Sequence, residues 1–235
     1  MILTAIPKGS KFNVDNIELD LRNETFVDIS EYSGGRILTD MKYLQAGRPG
    51  AVPTAYVRLS VAERLLKAAS LLPSGYRLKV YDAWRPYSVQ KSIYDEYFYT
   101  LSKREENADL TDDELHALTR KFVSFPSKEK TVSYVHSSGG AIDLTLCYEN
   151  GDEVDMGCGF DEFTVKASTD AYEDADGPVR DNRRLLYTVM TESGFTNYCE
   201  EWWHFDYGDI FWAANTGEKV IYKSVFIEEE VKNEQ

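Results

Sequence analysis

Histidine and cysteine are scarce: 235 residues hold three of each. Cys147, Cys158 and Cys199 are an odd number with no paired spacing, which excludes a disulfide framework and a zinc-type C-x-x-C pair and fits a reducing compartment. No H-E-x-x-H run occurs, so a helix-borne zinc motif of that kind is absent. No apolar stretch approaches the ~18 residues that cross a bilayer. The opening MILTAIPKGS has no basic stretch followed by an apolar core and does not read as a secretory signal. A cytoplasmic location is therefore expected. Basic residues are outnumbered, 26 Lys and Arg against 40 Asp and Glu, for a net charge of −14. That balance repels phosphate backbones and anionic lipid, so neither nucleic acid nor membrane is expected as a partner. Oligomeric state is not legible, and a homo-oligomer is left open.

With 43% hydrophobic and 28% charged residues, the length and composition fit one domain over 1–235. The first ~55 residues read as loops and short strands, with turns at Gly34-Gly35 and Arg48-Pro49-Gly50. A helix is expected from Ser60, where Ser60 and Glu63 have capping-box spacing. Val61, Leu65, Leu66, Ala69 and Leu72 form its apolar face before Pro73. Alternation then gives a strand over Tyr76–Ala83, and a helix follows over Tyr87–Lys103 carrying Val89, Ile93, Tyr97 and Leu101. Residues 104–130 are highly charged and read as a surface insertion, with a capping box at Thr111 and Glu114 starting a short helix through Phe122. Strands are expected around Val132–Val135 and Ala141–Leu146, joined at Gly139-Gly140. Then come a helix over Val179–Glu192 ended by Gly194, and strands over Glu201–Tyr207 and Val220–Ile227. An acidic tail over 228–235 reads as frayed. Helices and strands mix without a βαβ rhythm, so the class is α+β with a mostly antiparallel sheet.

Two histidines sit in unusual company. His136 opens H-S-S-G-G-A-I-D, which ends at Asp143. On that strand Ile142, Leu144 and Leu146 share one face, and Asp143 is on the other. A carboxylate there is costly to bury without a cation or donors. The Gly139-Gly140 turn lets the chain double back, so that His136 can approach Asp143. The second run is E-W-W-H, Glu201 to His204, in which two tryptophans enclose a polar pair in a dry wall. His136, Asp143 and His204 make a set of two imidazoles and a carboxylate, which suits catalytic zinc with one position open. Glu201 is then free to act as base. In Y-D-A-W-R-P, Pro86 keeps Arg85 out of helical conformation, and a guanidinium fixed there could bind an oxyanion. Each residue also has a plainer reading: a satisfied His136, Asp143 capping a turn, Glu201 and His204 as a surface pair, Arg85 anchoring a core carboxylate. His116 reads as solvated on a charged helix. Cys199 near Glu201 lacks a spare histidine to activate it.

Taken together, H-x-x-G-x-A-x-D and a later E-x-W-H resemble the zinc D-alanyl-D-alanine peptidases. The wider context (D-A-W-R-P, A-I-D-L-T-L, M-G-C-G-F-D-E-F, E-W-W-H-F) is similar to the VanX-type D-Ala-D-Ala dipeptidases, from about Val52 to Tyr207. The resemblance implies a hedgehog/D-Ala-D-Ala-peptidase-like fold and one Zn2+ per chain on His136, Asp143 and His204. It implies Glu201 as general base, Arg85 as transition-state stabiliser and a small dipeptide as substrate. Asp161 matches the position that holds the substrate ammonium, with Asp155 a nearby competitor. The family Ser two residues before the first ligand His is here Tyr134, beside Ser133, which makes Tyr134 a candidate substrate-binding residue and puts dipeptide selectivity in question. Alternatives are a related dipeptidase acting on another D,D- or L,D-dipeptide, and a non-catalytic binding module that keeps zinc for structure.

Overall fold

Strand and helix alternate unevenly along the chain, because short β-branched runs are separated by turns in the first third and by longer amphipathic stretches afterwards. The computed structural model describes residues 2–9, 12–128, 135–162 and 164–226. Its elements begin with β1 (Phe26–Asp28), α1 (Ile29–Tyr32), β2 (Leu38–Thr39), α2 (Lys42–Gln45) and β3 (Tyr56–Arg58). They continue with α3 (Leu59–Leu71), β4 (Tyr76–Asp82), α4 (Tyr87–Ser102), α5 (Asp112–Thr119), β5 (Ala141–Tyr148) and α6 (Pro178–Glu192). The last are β6 (Thr196–Asn197), β7 (His204–Asp206) and α7 (Ile210–Thr216). The main sheet has the order β2-β4-β5-β7-β6, and β1 pairs separately with β3. Only β2 and β4 run parallel, so the expected α+β class with a mostly antiparallel sheet holds.

The core lies on one face of this sheet. Ile142, Leu144 and Leu146 of β5 pack with Leu78 and Val80 of β4, and α3 and α6 cover them with Val61, Leu65, Leu186, Val189 and Met190. The other face of β5 is buried too, since Asp143 and Thr145 are 2% and 1% exposed. A strand covered on both faces forces any carboxylate it carries to find partners.

Register positions the site. Across β4 and β5, Val80 pairs with Leu144, but a bulge then brings Asp82 opposite Asp143. On the other side Asp143 pairs with His204. Residues directly opposite in a sheet project from the same face, so Asp82, Asp143 and His204 form one lateral row across three strands. The bulge is what adds Asp82 to that row.

Several local expectations are revised. No Ser60–Glu63 capping box forms: α3 starts at Leu59, directly after β3, and the Ser60 amide donates to Glu24 Oε1 at 2.6 Å. The Ser60 hydroxyl pairs with that of Tyr222. The buried stripe of α3 is turned slightly, with Ala62 and Ala68 joining Val61 and Leu65. At α5 the capping box does form, with Thr111 N donating to Glu114 Oε2 at 2.9 Å, although the helix ends at Thr119 rather than Phe122. The expected strand over Glu201–Tyr207 shrinks to β7, because Glu201–His204 is a turn in which His204 N donates to Glu201 O. Residues 220–226 form a single bridge, Val220 with Leu19, instead of a strand. Their amides are spent elsewhere, Ile221 on Gly208 O and Val225 on Ser137 O. The expected strand at Val132–Val135 and the acidic tail lie almost wholly outside the described residues.

Candidate metal centre and its cavity

His136 lies in a 3-10 turn, His136–Ser138, between the charged stretch and β5. Gly139 closes that turn in the left-handed region at φ 74°, where a Cβ would come within 2.2 Å of the Phe26 ring. The chain doubles back here as expected, and the imidazole returns over Asp143. His136 Nδ1 faces the carbonyl of Ala83 at 2.8 Å, and Nε2 lies 3.3 Å from Asp143 Oδ2. From β7, His204 Nδ1 lies 2.9 Å from Asp143 Oδ1, and Nε2 lies 2.8 Å from Asp206 Oδ1. One ligand atom from each of His136, Asp143 and His204 lies within 4.8 Å of the others, and all three residues are buried.

This donor set fits zinc. Tetrahedral ligands at ~2.0–2.1 Å from a metal sit roughly 3.3–3.5 Å from one another, close to the 2.9 and 3.3 Å contacts seen. Each imidazole turns its second nitrogen to an oxygen, of Ala83 for His136 and of Asp206 for His204. That is the outer-shell pattern which fixes a ligating tautomer. The charge balance points the same way. Asp82, Asp143, Asp161, Glu201 and Asp206 crowd around one guanidinium and two imidazoles. A divalent cation is the natural counter-charge for such a group.

The electrostatics follow from burial and neighbours. Burial alone would raise Asp143, but the imidazoles of His136 and His204 outweigh it and hold the carboxylate well below the usual range. Burial lowers His204, yet Asp206 and Asp143 overcome this and raise it well above the ordinary histidine value. Burial, reinforced by Asp143 and Asp161 and opposed by His204, pushes Glu201 up to about 8. Asp161 is pushed to about 6 by burial, with Arg85 and the Tyr43 hydrogen bond pulling the other way.

A cavity of about 400 Å³ opens over these groups. Its lining includes His136, Asp143, His204, Glu201, Arg85 and Asp161. The sequence-expected residues are thus brought together, with Glu201 Oε2 3.8 Å from His204 Nδ1. Arg85 takes the plainer of its readings, and its place also leaves it in the cavity wall. Its side chain donates to Asp82 Oδ2 at 2.7 Å and Asp143 Oδ2 at 3.0 Å, anchoring buried carboxylates, while still lining the cavity. Asp161, at φ 56°, lines the cavity and accepts from the Tyr43 hydroxyl at 2.9 Å. Asp155 is exposed, its side chain accepts from Gly157 N at 2.8 Å, and it does not line the cavity. Tyr134 lies outside the described residues.

Two expectations are corrected, and the reading of Cys199 as no nucleophile is not disturbed. Trp202 and Trp203 do not wall the cavity; they are buried in the main core beneath it, where Trp203 meets Phe160. His116 is half-buried rather than free in solvent: it stacks on Phe98 with ring centroids 4.4 Å apart, and its Nδ1 is 2.9 Å from the Tyr94 hydroxyl. Cys199 is absent from the cavity lining. Sequence reasoning missed Tyr43, Asp82, Gln90 and Asp206. Asp206 is two residues beyond His204 and so on the same strand face, a signal that was available; Asp82 needed the bulge, and Tyr43 and Gln90 needed the tertiary structure.

Two histidines and a carboxylate meeting in a cavity, with a glutamate and an arginine beside them, fit a mononuclear metallohydrolase centre. The family described as D-ala-D-ala dipeptidase, Peptidase M15, matches residues 54–221, and the chain belongs to it. A D-alanyl-D-alanine dipeptidase of Synechocystis sp. is 30% identical over 201 residues, covering 77% of this chain and 81% of that one. One from Enterococcus faecalis is 32% identical over 66% of this chain and 72% of its own length. A third, from Escherichia coli, is 34% identical over 57% of this chain and 56% of its own. No helix among the described residues is long and apolar enough to cross a membrane.

Proposed function

We propose that this chain hydrolyses the dipeptide D-alanyl-D-alanine to two D-alanines, using one zinc ion held by His136, Asp143 and His204. The observation that carries the reading is the convergence of those three side chains in a cavity wall that also presents Glu201. Among the described residues the ligand group has three members, where a structural zinc site takes four. When bound, zinc polarises the scissile carbonyl and lowers the pKa of water towards ~7.

The chain's own residues account for the rest. Glu201 is close enough to the centre to take a proton from the attacking water. As the protonated carboxyl it can then return that proton to the leaving amine. Arg85 has five N–H groups; three are committed to Asp82, Gln90 and Asp143, and the others remain to meet the oxyanion. Asp161 receives the substrate ammonium on the oxygen that Tyr43 does not occupy. A cytoplasmic setting is supported by the odd count and wide spacing of the three cysteines, which do not make a disulfide framework.

The test is D-alanine release from D-Ala-D-Ala by the zinc-loaded protein, with L-Ala-D-Ala and D-Ala-L-Ala alongside. Preferential release from D-Ala-D-Ala is expected. Turnover confined to a mixed-chirality dipeptide would overturn the substrate assignment and leave the metal centre standing.

A further inference from the structure

Arg85 is useful as an oxyanion donor only if its plane is fixed, since a freely rotating guanidinium loses most of the advantage of preorganisation. Two of its anchors belong to the lateral row already described, Asp82 on Nε and Asp143 on a terminal nitrogen. The third is Gln90. Pro86 caps α4 in extended conformation, and Gln90 N donates to Pro86 O at 3.2 Å, which places Gln90 in the first turn and aims its side chain back at Arg85. Gln90 Oε1 accepts from the other terminal nitrogen at 2.8 Å.

The same amide reaches a second element. Gln90 Nε2 donates to the carbonyl of Ser124 at 2.8 Å. The amide orientation is forced, because a guanidinium can only donate and a carbonyl can only accept. Ser124 belongs to the stretch from Phe122 to Ser127, which lines the same cavity as the metal centre. Residues 124–128 have no helix or strand to hold them. Val123 packs with Val89, Ile93 and Tyr94 of α4, and Phe125 rests on Tyr94. The Gln90 amide adds a directional bond to these apolar contacts.

We infer that Gln90 is a positioning residue of the reaction: one side chain sets the plane of Arg85 and pins the stretch of cavity wall at Ser124. A glutamine suits both tasks. A carboxylate at this position could not donate to Ser124 O, and it would add a third anion to a guanidinium already between two, weakening the positive potential it turns to the cavity. The inference rests on the proposed role of Arg85 in dipeptide hydrolysis.

The experiment is a double-mutant cycle on the full-length, zinc-loaded protein, with hydrogen exchange as a second readout. Gln90→Ala should lower kcat for D-Ala-D-Ala about 10–100-fold, the scale of a small misplacement in an aligned site, with KM changed less and zinc content unchanged. In the Arg85→Ala background the same change should have almost no further effect, because the residue it acts through is gone. Amide exchange over 120–128 should speed up in both Gln90→Ala and Gln90→Glu, which lose the donor to Ser124 O, and stay as in the wild type in Arg85→Ala. Equal kcat losses in both backgrounds would overturn the inference, as would unchanged exchange in the Gln90 variants. A wild type without turnover would count against the dipeptidase reading itself, and the exchange comparison would still decide whether Gln90 pins the wall.

Discussion

Asp206→Asn isolates what the outer shell contributes to the metal centre. Asp206 is fully buried on β7, two residues past His204, and its Oδ1 faces His204 Nε2 at 2.8 Å. The carboxylate raises the basicity of the ligating ring and holds its Nδ1 towards Asp143. Asparagine keeps an oxygen in reach of Nε2 and removes the charge. It also relieves Asp209, whose buried carboxyl is raised well above the ordinary value by burial and by Asp206. An amide can donate to the Asp209 oxygen that now lacks a partner. The fold should therefore tolerate the change. Loss of an outer-shell partner typically weakens metal binding about 10–100-fold, or roughly 1.4–2.8 kcal/mol. The assay is zinc competition against a chromophoric chelator at neutral pH, with thermal unfolding of the metal-free protein as control. Zinc affinity equal to the wild type's would refute the reasoning. A collapse of the metal-free fold would show instead that Asp206 matters to the core.

Other expectations follow from the same geometry. Metal-free Glu201→Gln should be more stable than the wild type in mild alkali and indistinguishable near pH 4. Below its ordinary value of 4.5 the carboxyl is protonated folded or unfolded; between there and about 8 only the folded chain keeps the proton, so wild-type stability is lost as pH rises. With the side chain 23% exposed, a difference on the order of 1–3 kcal/mol is expected by chemical denaturation above about pH 8; parallel pH profiles would contradict it. Gly139→Ala forces a left-handed residue with its Cβ into the Phe26 ring, so it should cost more than about 2 kcal/mol and weaken zinc binding through His136; an unchanged unfolding midpoint would contradict this. Arg85→Lys keeps the charge and loses the fork that spans Asp82, Asp143 and Gln90. It should lower kcat about 10²–10³-fold with zinc retained, and a lysine variant with wild-type kcat would remove the fork from the mechanism.

How much of this was legible in the sequence depended on range. The long helices were readable because local periodicity and caps define them: α4 and α6 fall within one residue of expectation at each end. The Thr111–Glu114 box was readable because both partners lie within one turn. Ser60–Glu63 had the same spacing and failed, since Glu24, distant in sequence, took the Ser60 amide first. The His136, Asp143 and His204 group came from two short motifs, with Asp143 and His204 paired across β5 and β7 and His136 brought back by the turn at Gly139. Asp82 stood inside a quoted motif, yet its place in the row depends on a bulge that no local pattern marks. Tyr43 and Gln90 act across the fold, on Asp161 and Ser124, and neither has a neighbour in sequence that announces it. The tryptophans of E-W-W-H were misplaced for a related reason: the turn at Glu201–His204 sends the polar pair to the cavity and both indoles into the core.

The most direct test of the central claim measures zinc content and D-alanine release together in the wild type and Glu201→Ala. One zinc per chain in both proteins, with release from D-Ala-D-Ala by the wild type alone, is the predicted result. Zinc lost from Glu201→Ala would make Glu201 a ligand, and undiminished release by that variant would take the base out of the mechanism; either result would contradict the account.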